Sequence, residues 1–478
     1  MPVAARGRRA TSVVVALVLG VSLFSGSAWA AISEPDRLWV VGTKAFEDAL
    51  YDLAYRELSR FSLVAPTDPR RGDAVFLRAK AAFALGRHDD ALAGFRAAET
   101  LPLRVATDGE AIFWQGETLF RLKRFDEARE RYSLFVRASP ASPYADDALY
   151  ARGFAELELS RVDDAIASFQ ALLREQPQSE VAGSAAYALG RELVRAKRWD
   201  EAFAVLSGYA SRFPQSPFLT EARYLLGVTQ METGRPAEGI KTLEQFVAAN
   251  PTSDLVPASR ILLAGTHLRE GRAREALEEY QVFVKRAPTH PFVPQALYQV
   301  GELSKRLGRQ AEAEATWRTL RRDFPRDALA SLAGLELAQG FLRRRQFAQA
   351  MDIAREVADD GGAPRLEALL VLGESALKAG KPLEADRAYR AALVDAPAGS
   401  TERFRALAGV ALVAETQKEP AIAKRAYREI VDGAQDAELV RWARERVRRL
   451  EAQERQRSTP KSKTRPRPAP SKQGSPRS

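Results

Sequence analysis

Between residues 187 and 217 the chain reads YALGRELVRAKRWDEAFAVLSGYASRFPQSP, and its apolar positions fall at helical spacing. Tyr187, Leu189, Gly190 and Val194 mark one helix, and a short basic turn follows at Ala196 to Arg198. Ala202, Leu206 and Tyr209 mark a second helix, which Pro214 ends because proline lacks an amide hydrogen and clashes with the preceding turn. Each predicted helix is apolar on one face only, so neither can bury its stripe alone.

The same pattern recurs along the chain. Residues equivalent to Ala202 stand at Ala54, Ala91, Ala128, Ala165, Gly239, Ala276, Ala313, Ala350, Ala385 and Ala423, with eight successive gaps of 37, then 35, then 38. Twelve residues before each lies a second small residue, among them Gly116, Gly153, Gly190 and Gly227. Twelve after, a proline stops the unit at Pro140, Pro177, Pro214, Pro251, Pro288, Pro325 and Pro397, with Pro66 in the first unit. Eleven copies are in register. The paired small residues predict close approach of two antiparallel helices at a crossing where a larger side chain would overpack, at about 1–3 kcal/mol. The repeat-packing residues are therefore Gly116, Ala128, Gly153, Ala165, Gly190, Ala202, Gly227 and Gly239.

A small residue at the eighth position, an aromatic at the seventeenth, Ala at the twentieth, bulky apolar residues at the twenty-fourth and twenty-seventh and Pro at the thirty-second resemble the tetratricopeptide repeat. Phe125, Ala128, Tyr132, Phe135 and Pro140 show it within one unit. The repeat is three residues longer than the standard form, the extra residues falling between the proline and the next helix, as in FPQSPFLTEARYLLG and SPASPYADDALYARG. That variant is similar to the repeats of outer-membrane assembly lipoproteins and of the periplasmic repeat protein of the Tol-Pal system. The resemblance implies an all-α, TPR-like α-solenoid: a right-handed superhelix of about eleven helix-turn-helix repeats over residues 31–435, with a C-terminal capping helix over 436–454 that carries Leu439, Trp442, Val447 and Leu450. Two turns between paired helices place glycine before a helix-starting proline, at Gly234-Arg235-Pro236 and Gly380-Lys381-Pro382. Repeat nine replaces its stopping proline with Asp359-Asp360-Gly361-Gly362, which predicts a local kink or change of pitch near residue 362.

Residues 1–30 have the form of a secretory signal: Arg6, Arg8 and Arg9, an apolar core from Val13 to Phe24, and Ala28-Trp29-Ala30 as a small-x-small cleavage site. A retained anchor is the alternative reading, and Ala-Thr-Ser after the arginine pair matches a twin-arginine signal poorly. The expectation is a periplasmic or secreted protein. With no cysteine in the chain, it is not expected to be a lipoprotein, and disulfides, thiolate catalysis and Cys-ligated zinc are excluded.

Charge changes the picture only at the ends. Of the net +10, residues 1–30 contribute +3 and residues 455–478 contribute +8, leaving −1 for everything between. The Pro, Ser, Lys and Arg of 455–478 predict a disordered tail, either a solubilising terminus or a segment that holds anionic membrane or cell-wall surfaces.

Candidate chemistry is sparse. The three histidines occupy bland repeat positions: His88 at an aromatic site, His267 on a first helix and His290 in a linker. Carboxylates such as Asp126-Glu127 and Asp200-Glu201 fall at predicted helix starts, where they suit the helix dipole. No phosphate loop, nucleophile elbow or zinc-protease helix is present, so the reading is no enzyme, no catalytic residue, no metal, no cofactor and no nucleic acid.

The sharper feature is an aromatic row three residues before the small residue of the first helix: Trp39, Phe76, Phe113, Tyr150, Tyr187, Tyr224 and, after Ile261, Tyr298, the site turning aliphatic from the ninth unit at Leu335, Leu370 and Ala408. By the resemblance, these positions lie on or beside the concave groove and clamp a peptide; the competing reading packs them between neighbouring first helices. Polar positions further along, including Glu117, Arg121, Arg191, Arg195, Glu302, Arg306, Arg343, Glu374 and Lys378, are expected to point into the groove. The functional expectation is an exported scaffold that binds envelope proteins or peptides. An accessory to polysaccharide export or peptidoglycan remodelling, and a lytic-transglycosylase-like enzyme, are the alternatives.

Overall fold

The helical periodicity is realised as twenty-four helices and no strand among the described residues of the computed structural model, which covers residues 33–458. The expected signal and all but the first residues of the expected tail lie outside the described residues. The first repeat pairs Glu34–Glu47 (helix A) with Tyr51–Val64 (helix B), and the eleventh pairs Thr401–Thr416 with Pro420–Gly433. The described residues group into two compact bodies divided between Ser259 and Arg260. Within each body, helices pack on their sequence neighbours, and helix A of one repeat also touches helix A of the next, as with Val293–Arg306 and Ala328–Arg343. This is an all-α solenoid.

The turn between A and B is the same in every repeat. Its apex residue has positive φ throughout: Ala49, Gly86, Lys123, Ser160, Lys197, Gly234, Gly271, Gly308, Arg345, Gly380 and Lys418. The amide after the apex donates to the carbonyl five residues back, Arg124 N to Leu119 O at 2.9 Å, which satisfies a helix-end carbonyl. Six repeats hold this left-handed position without glycine, a conformation that costs an L-residue about 1–2 kcal/mol. The packing of the two helices must supply that energy.

The small residues of the two helices lie against each other at the crossing, as Gly227 and Gly239 do, and the one on helix A also receives a large side chain. A methyl built on Gly116, Gly153, Gly190 or Gly227 would lie 2.6 Å from Tyr132, Phe169, Leu206 or Leu243 respectively. Each partner sits sixteen residues downstream, one turn beyond the small residue of helix B. Gly301 receives Trp317 in the same way and Gly373 receives Tyr389. The glycine is thus a hole for a large knob. The small residue of helix B faces the backbone instead: a methyl on Gly239 would lie 2.9 Å from the Gly227 carbonyl oxygen and 2.6 Å from Met231. Ala128, Ala165 and Ala202 are fully buried at the equivalent place.

Three further details add to the sequence reading. Helix B of repeat five is broken at Ser207-Gly208 into Trp199–Leu206 and Tyr209–Arg212, because glycine holds a helix poorly. Tyr209 nevertheless keeps its place, donating from its hydroxyl to the Gly183 carbonyl at 2.9 Å. Near residue 362 the chain turns through two left-handed glycines, Gly361 and Gly362, yet one apolar core runs without interruption from Ala338 to Leu450. The last helix, Ala437–Ser458, extends four residues past 454. Lys424 Nζ bonds Glu454 at 2.6 Å near its end, and Pro460 follows two residues later.

Adding one methyl against Phe169 with Gly153→Ala is expected to lower stability by about 1–3 kcal/mol. Gly265→Ala lies in the interior of helix Val256–Arg269 with open space around the added methyl. It should raise stability by about 0.5–1 kcal/mol. Urea titrations followed by circular dichroism compare the two.

Candidate functional site

In the first body, helices A of repeats two to four and the first A-to-B turn enclose a groove of about 560 Å³ lined by Phe46, Tyr51, Phe83, Trp114, Tyr144 and charged side chains. Its walls are held by ring contacts. Phe113 stacks on Tyr144 at 4.9 Å, and Phe83 meets Trp114 edge-on at 5.3 Å. Lys80 Nζ lies 4.9 Å from the centre of the Trp114 ring and bonds Glu110 at 3.2 Å. Glu110, buried at the start of its helix, also accepts from Trp114 Nε1 at 3.1 Å and from the Thr107 amide at 3.0 Å.

Glu117 corrects the sequence reading. Expected to face the groove as a solvated group, it is buried and accepts a 2.7 Å hydrogen bond from the Tyr132 hydroxyl. Tyr132 is the knob in Gly116, so the carboxylate rides on the same joint. Burial pushes the Glu117 carboxyl up to about 7, against the opposing effect of the Tyr132 hydrogen bond and Arg121 and with a small further rise from Asp147. Across the groove, burial first and then Arg121 lower the pKa of His88, against the opposing effect of Asp89. Arg121 is exposed at the groove edge.

The aromatic row divides by burial. Phe76, Phe113 and Tyr150 are buried, with Phe76 on Phe95 at 5.8 Å and Tyr150 on Phe154 at 4.8 Å. Little of those rings is presented to solvent. Trp39, Tyr187, Tyr224 and Tyr298 are half-buried. Tyr187 stacks on Phe218 at 4.6 Å with the planes 4° apart, Tyr224 packs on Phe246 at 5.9 Å, and Trp39 has the Arg70 guanidinium 5.6 Å from its centre. Arg70, Tyr144 and Phe218 each lie thirty-one residues after the ring they cover, in the linker before the next helix A. The linker residues of the long repeat therefore build a lid for these three rings, which the repeat pattern of the helices alone did not reveal.

The basic positions are partly spent on local pairs. Arg191 and Arg195 both bond Glu192, at 2.7 and 3.3 Å, so they form a clamp on that buried carboxylate. In the second body Tyr298, Glu302, Lys305 and exposed Arg306 surround a hollow of about 580 Å³. Another, of about 630 Å³, is ringed by Arg343, Arg345, Glu367, Glu374, Lys378 and Arg405. There Arg405 grips Glu367 through two bonds of 2.7 and 3.0 Å. Among the described residues no group of three or more His, Asp or Glu is placed to hold a metal ion.

A family model described as Tetratricopeptide repeat matches residues 78–143, and a second with the same description matches 295–327. The chain carries tetratricopeptide repeats. A model described as Outer membrane lipoprotein matches residues 143–309 of this repeat protein, whose repeats resemble those of outer-membrane assembly lipoproteins. Among solved structures, the C-terminal part of a TPR repeat-containing protein from Cytophaga hutchinsonii is 12% identical, covers 54% of this chain and 98% of its own, and has a TM-score of 0.44. PilW, a type IV pilus biogenesis factor, is 19% identical, covering 48% of this chain and 99% of its own, at a TM-score of 0.35. The Naa15/Naa10 complex bound to HypK is 15% identical over 88% of this chain and 67% of the other, at 0.41. No match was found among curated proteins.

The raised Glu117 carboxyl predicts a pH dependence. Its folded value, about 7, lies above the ordinary 4.5. Its stabilising contribution is therefore complete below about pH 4.5 and lost as pH rises through about 7. Glu117→Gln removes that loss, so wild type should fall relative to the variant by about 2–3 kcal/mol between pH 4.5 and pH 8. Urea midpoints of both proteins across this range measure it.

Proposed function

We propose that this repeat protein is an exported scaffold that binds other proteins of the cell envelope through the exposed faces of its A helices. The observation that carries the reading is the groove of the first body, where Phe83, Trp114 and Tyr144 leave apolar ring surface beside Arg121 and Lys80. Rings that hold their place by contacts within the protein lose little side-chain freedom on binding, which suits an extended or helical peptide from a partner. Half-buried Tyr187, Tyr224 and Tyr298, with Arg306, continue the same surface chemistry on later A helices. The match of residues 143–309 to an outer-membrane lipoprotein family and the signal-like residues 1–30 support an envelope location. In this chain, without cysteine, the lipid anchor of that family has no attachment residue.

The test is photo-crosslinking in living cells from Arg121, Tyr187 and Arg306, with Leu134 and Arg137 on a B helix as reference sites. The A-helix sites should trap envelope proteins that the reference sites do not. Capture confined to the B-helix sites, or only of the protein itself, contradicts the reading.

A further inference from the structure

The groove of the first body carries two buried carboxylates among its rings. Glu117, on the helix Glu110–Arg121, and Asp147, on the helix Ala145–Glu158, both line it, and each is 3% exposed. Phe46, Tyr51, Phe83, Trp114 and Tyr144 stand around them, all half-buried. The two acids are close enough for the Asp147 charge to raise the Glu117 carboxyl. Two cations share the lining. Lys80 is bonded to the buried Glu110 at 3.2 Å, so its charge is already matched. Arg121 stands exposed at the rim, where water and salt screen it, whereas the buried carboxylates act through a less polar medium. The base of the groove is therefore anionic once Glu117 ionises.

Rings around acids select for a cation on an apolar stem. An apolar occupant would cut Glu117 and Asp147 off from water with no opposing charge, and an acidic one would meet them as like charges. An alkylammonium group does neither: both carboxylates and the ring faces attract its charge, and its methylenes cover the rings. The protein already makes this contact with its own chain, since Lys80 Nζ lies 4.9 Å from the centre of the Trp114 ring. We propose that the groove receives a lysine side chain of the partner peptide, its ammonium group directed to Glu117 and Asp147 and its methylenes laid against the rings. At about 560 Å³ the groove exceeds one side chain, which leaves room for the peptide residues on either side. That occupant deepens the recognition reading of the groove, on which it rests.

Ionisation of Glu117 supplies a second signature. Facing it are Tyr132 from the paired B helix, Asp147 from the next A helix and Arg121 from its own, with His88 and Lys80 also in the lining. Burial holds its carboxyl up at about 7, and an ammonium group beside it favours the charged form, so affinity rises with pH. The peptide lysine keeps its own charge over that range.

Acetylated and amidated pentapeptides Gly-Leu-Xaa-Leu-Gly, with lysine, norleucine or glutamate at the centre, test it by titration into the full chain from residue 31. The indole N–H signal of Trp114, assigned with Trp114→Phe, is followed by NMR. The lysine peptide should shift that signal and bind about tenfold more tightly than the norleucine peptide, which has the same stem without the charge, and the glutamate peptide should bind more weakly still. Between about pH 6 and about pH 8 the lysine peptide should gain up to about tenfold. Glu117→Gln, which keeps an acceptor for the Tyr132 hydroxyl, should abolish that gain and reduce the preference for lysine over norleucine, with circular dichroism showing that the variant stays helical. Arg121→Gln should strengthen binding of the lysine peptide, where an anion-binding groove would lose affinity. Equal binding of lysine and norleucine, tighter binding of glutamate, a flat or falling pH profile, weaker lysine binding by Arg121→Gln, or no shift at Trp114 would overturn the proposal. So would n-butylammonium binding as tightly as the lysine peptide, which makes a free amine the ligand. Envelope proteins trapped from Arg121 in cells would leave the recognition reading standing after such a loss, and a lysine peptide that binds as described while none is trapped would leave the lysine site standing without the envelope reading.

Discussion

Two helices can cross at the distance seen in each repeat only if one of them gives up a side chain at the crossing. Here that concession is made on helix A, and helix B fills the space with a knob: Tyr132 in Gly116, Phe169 in Gly153, Trp317 in Gly301. Burying a side chain of that size contributes about 1.5–3 kcal/mol by transfer from water. The joint is repeated with varied knobs and holes: four repeats carry alanine in place of the glycine, beside Phe95, Tyr280 and Tyr427 in three of them and beside Ala354 in repeat nine. Other features follow from holding this distance. A turn with a left-handed apex is what lets helix B return onto helix A, even where Lys123, Ser160 or Lys197 must adopt it. Glu117 is buried because the Tyr132 knob brings its hydroxyl to that carboxylate.

The second level of organisation lies between repeats. Three rings of the aromatic row are covered by a residue of the linker that follows: Arg70 covers Trp39, Tyr144 covers Phe113 and Phe218 covers Tyr187. A linker three residues longer than in the standard repeat supplies the cover. The groove thus has walls that are part core and part surface, which is how one set of residues serves both packing and the proposed recognition. The last helix shows the same division, with Trp442 against Tyr427 and Arg441, Arg444 and Arg448 exposed.

Helix positions, their pairing and the small-residue register were legible in the sequence because a 37-residue period repeats the same periodic evidence many times. What was not legible depends on direction in space. Ala128 and Gly116 are both small, and spacing alone does not say whether they meet each other or whether Gly116 meets Tyr132; only the relative rotation of the helices decides it. Glu117 and Arg121 are one helical turn apart and looked equivalent, yet one is buried and the other exposed. The left-handed turn at Lys123 carries no glycine to announce it. The linker lids were hidden because Arg70, Tyr144 and Phe218 share a position but not a residue type.

The central claim is that glycine on helix A exists to admit the large residue sixteen positions later. A double-mutant cycle on Gly301 and Trp317 tests it most directly, using urea unfolding of Gly301→Ala, Trp317→Ala and the pair. If the ring occupies the hole, the alanine at 301 is costly beside tryptophan and nearly harmless beside alanine, so the double variant should be more stable than the sum of the single effects by about 1–3 kcal/mol. Additive effects, within about 0.5 kcal/mol, would contradict the account.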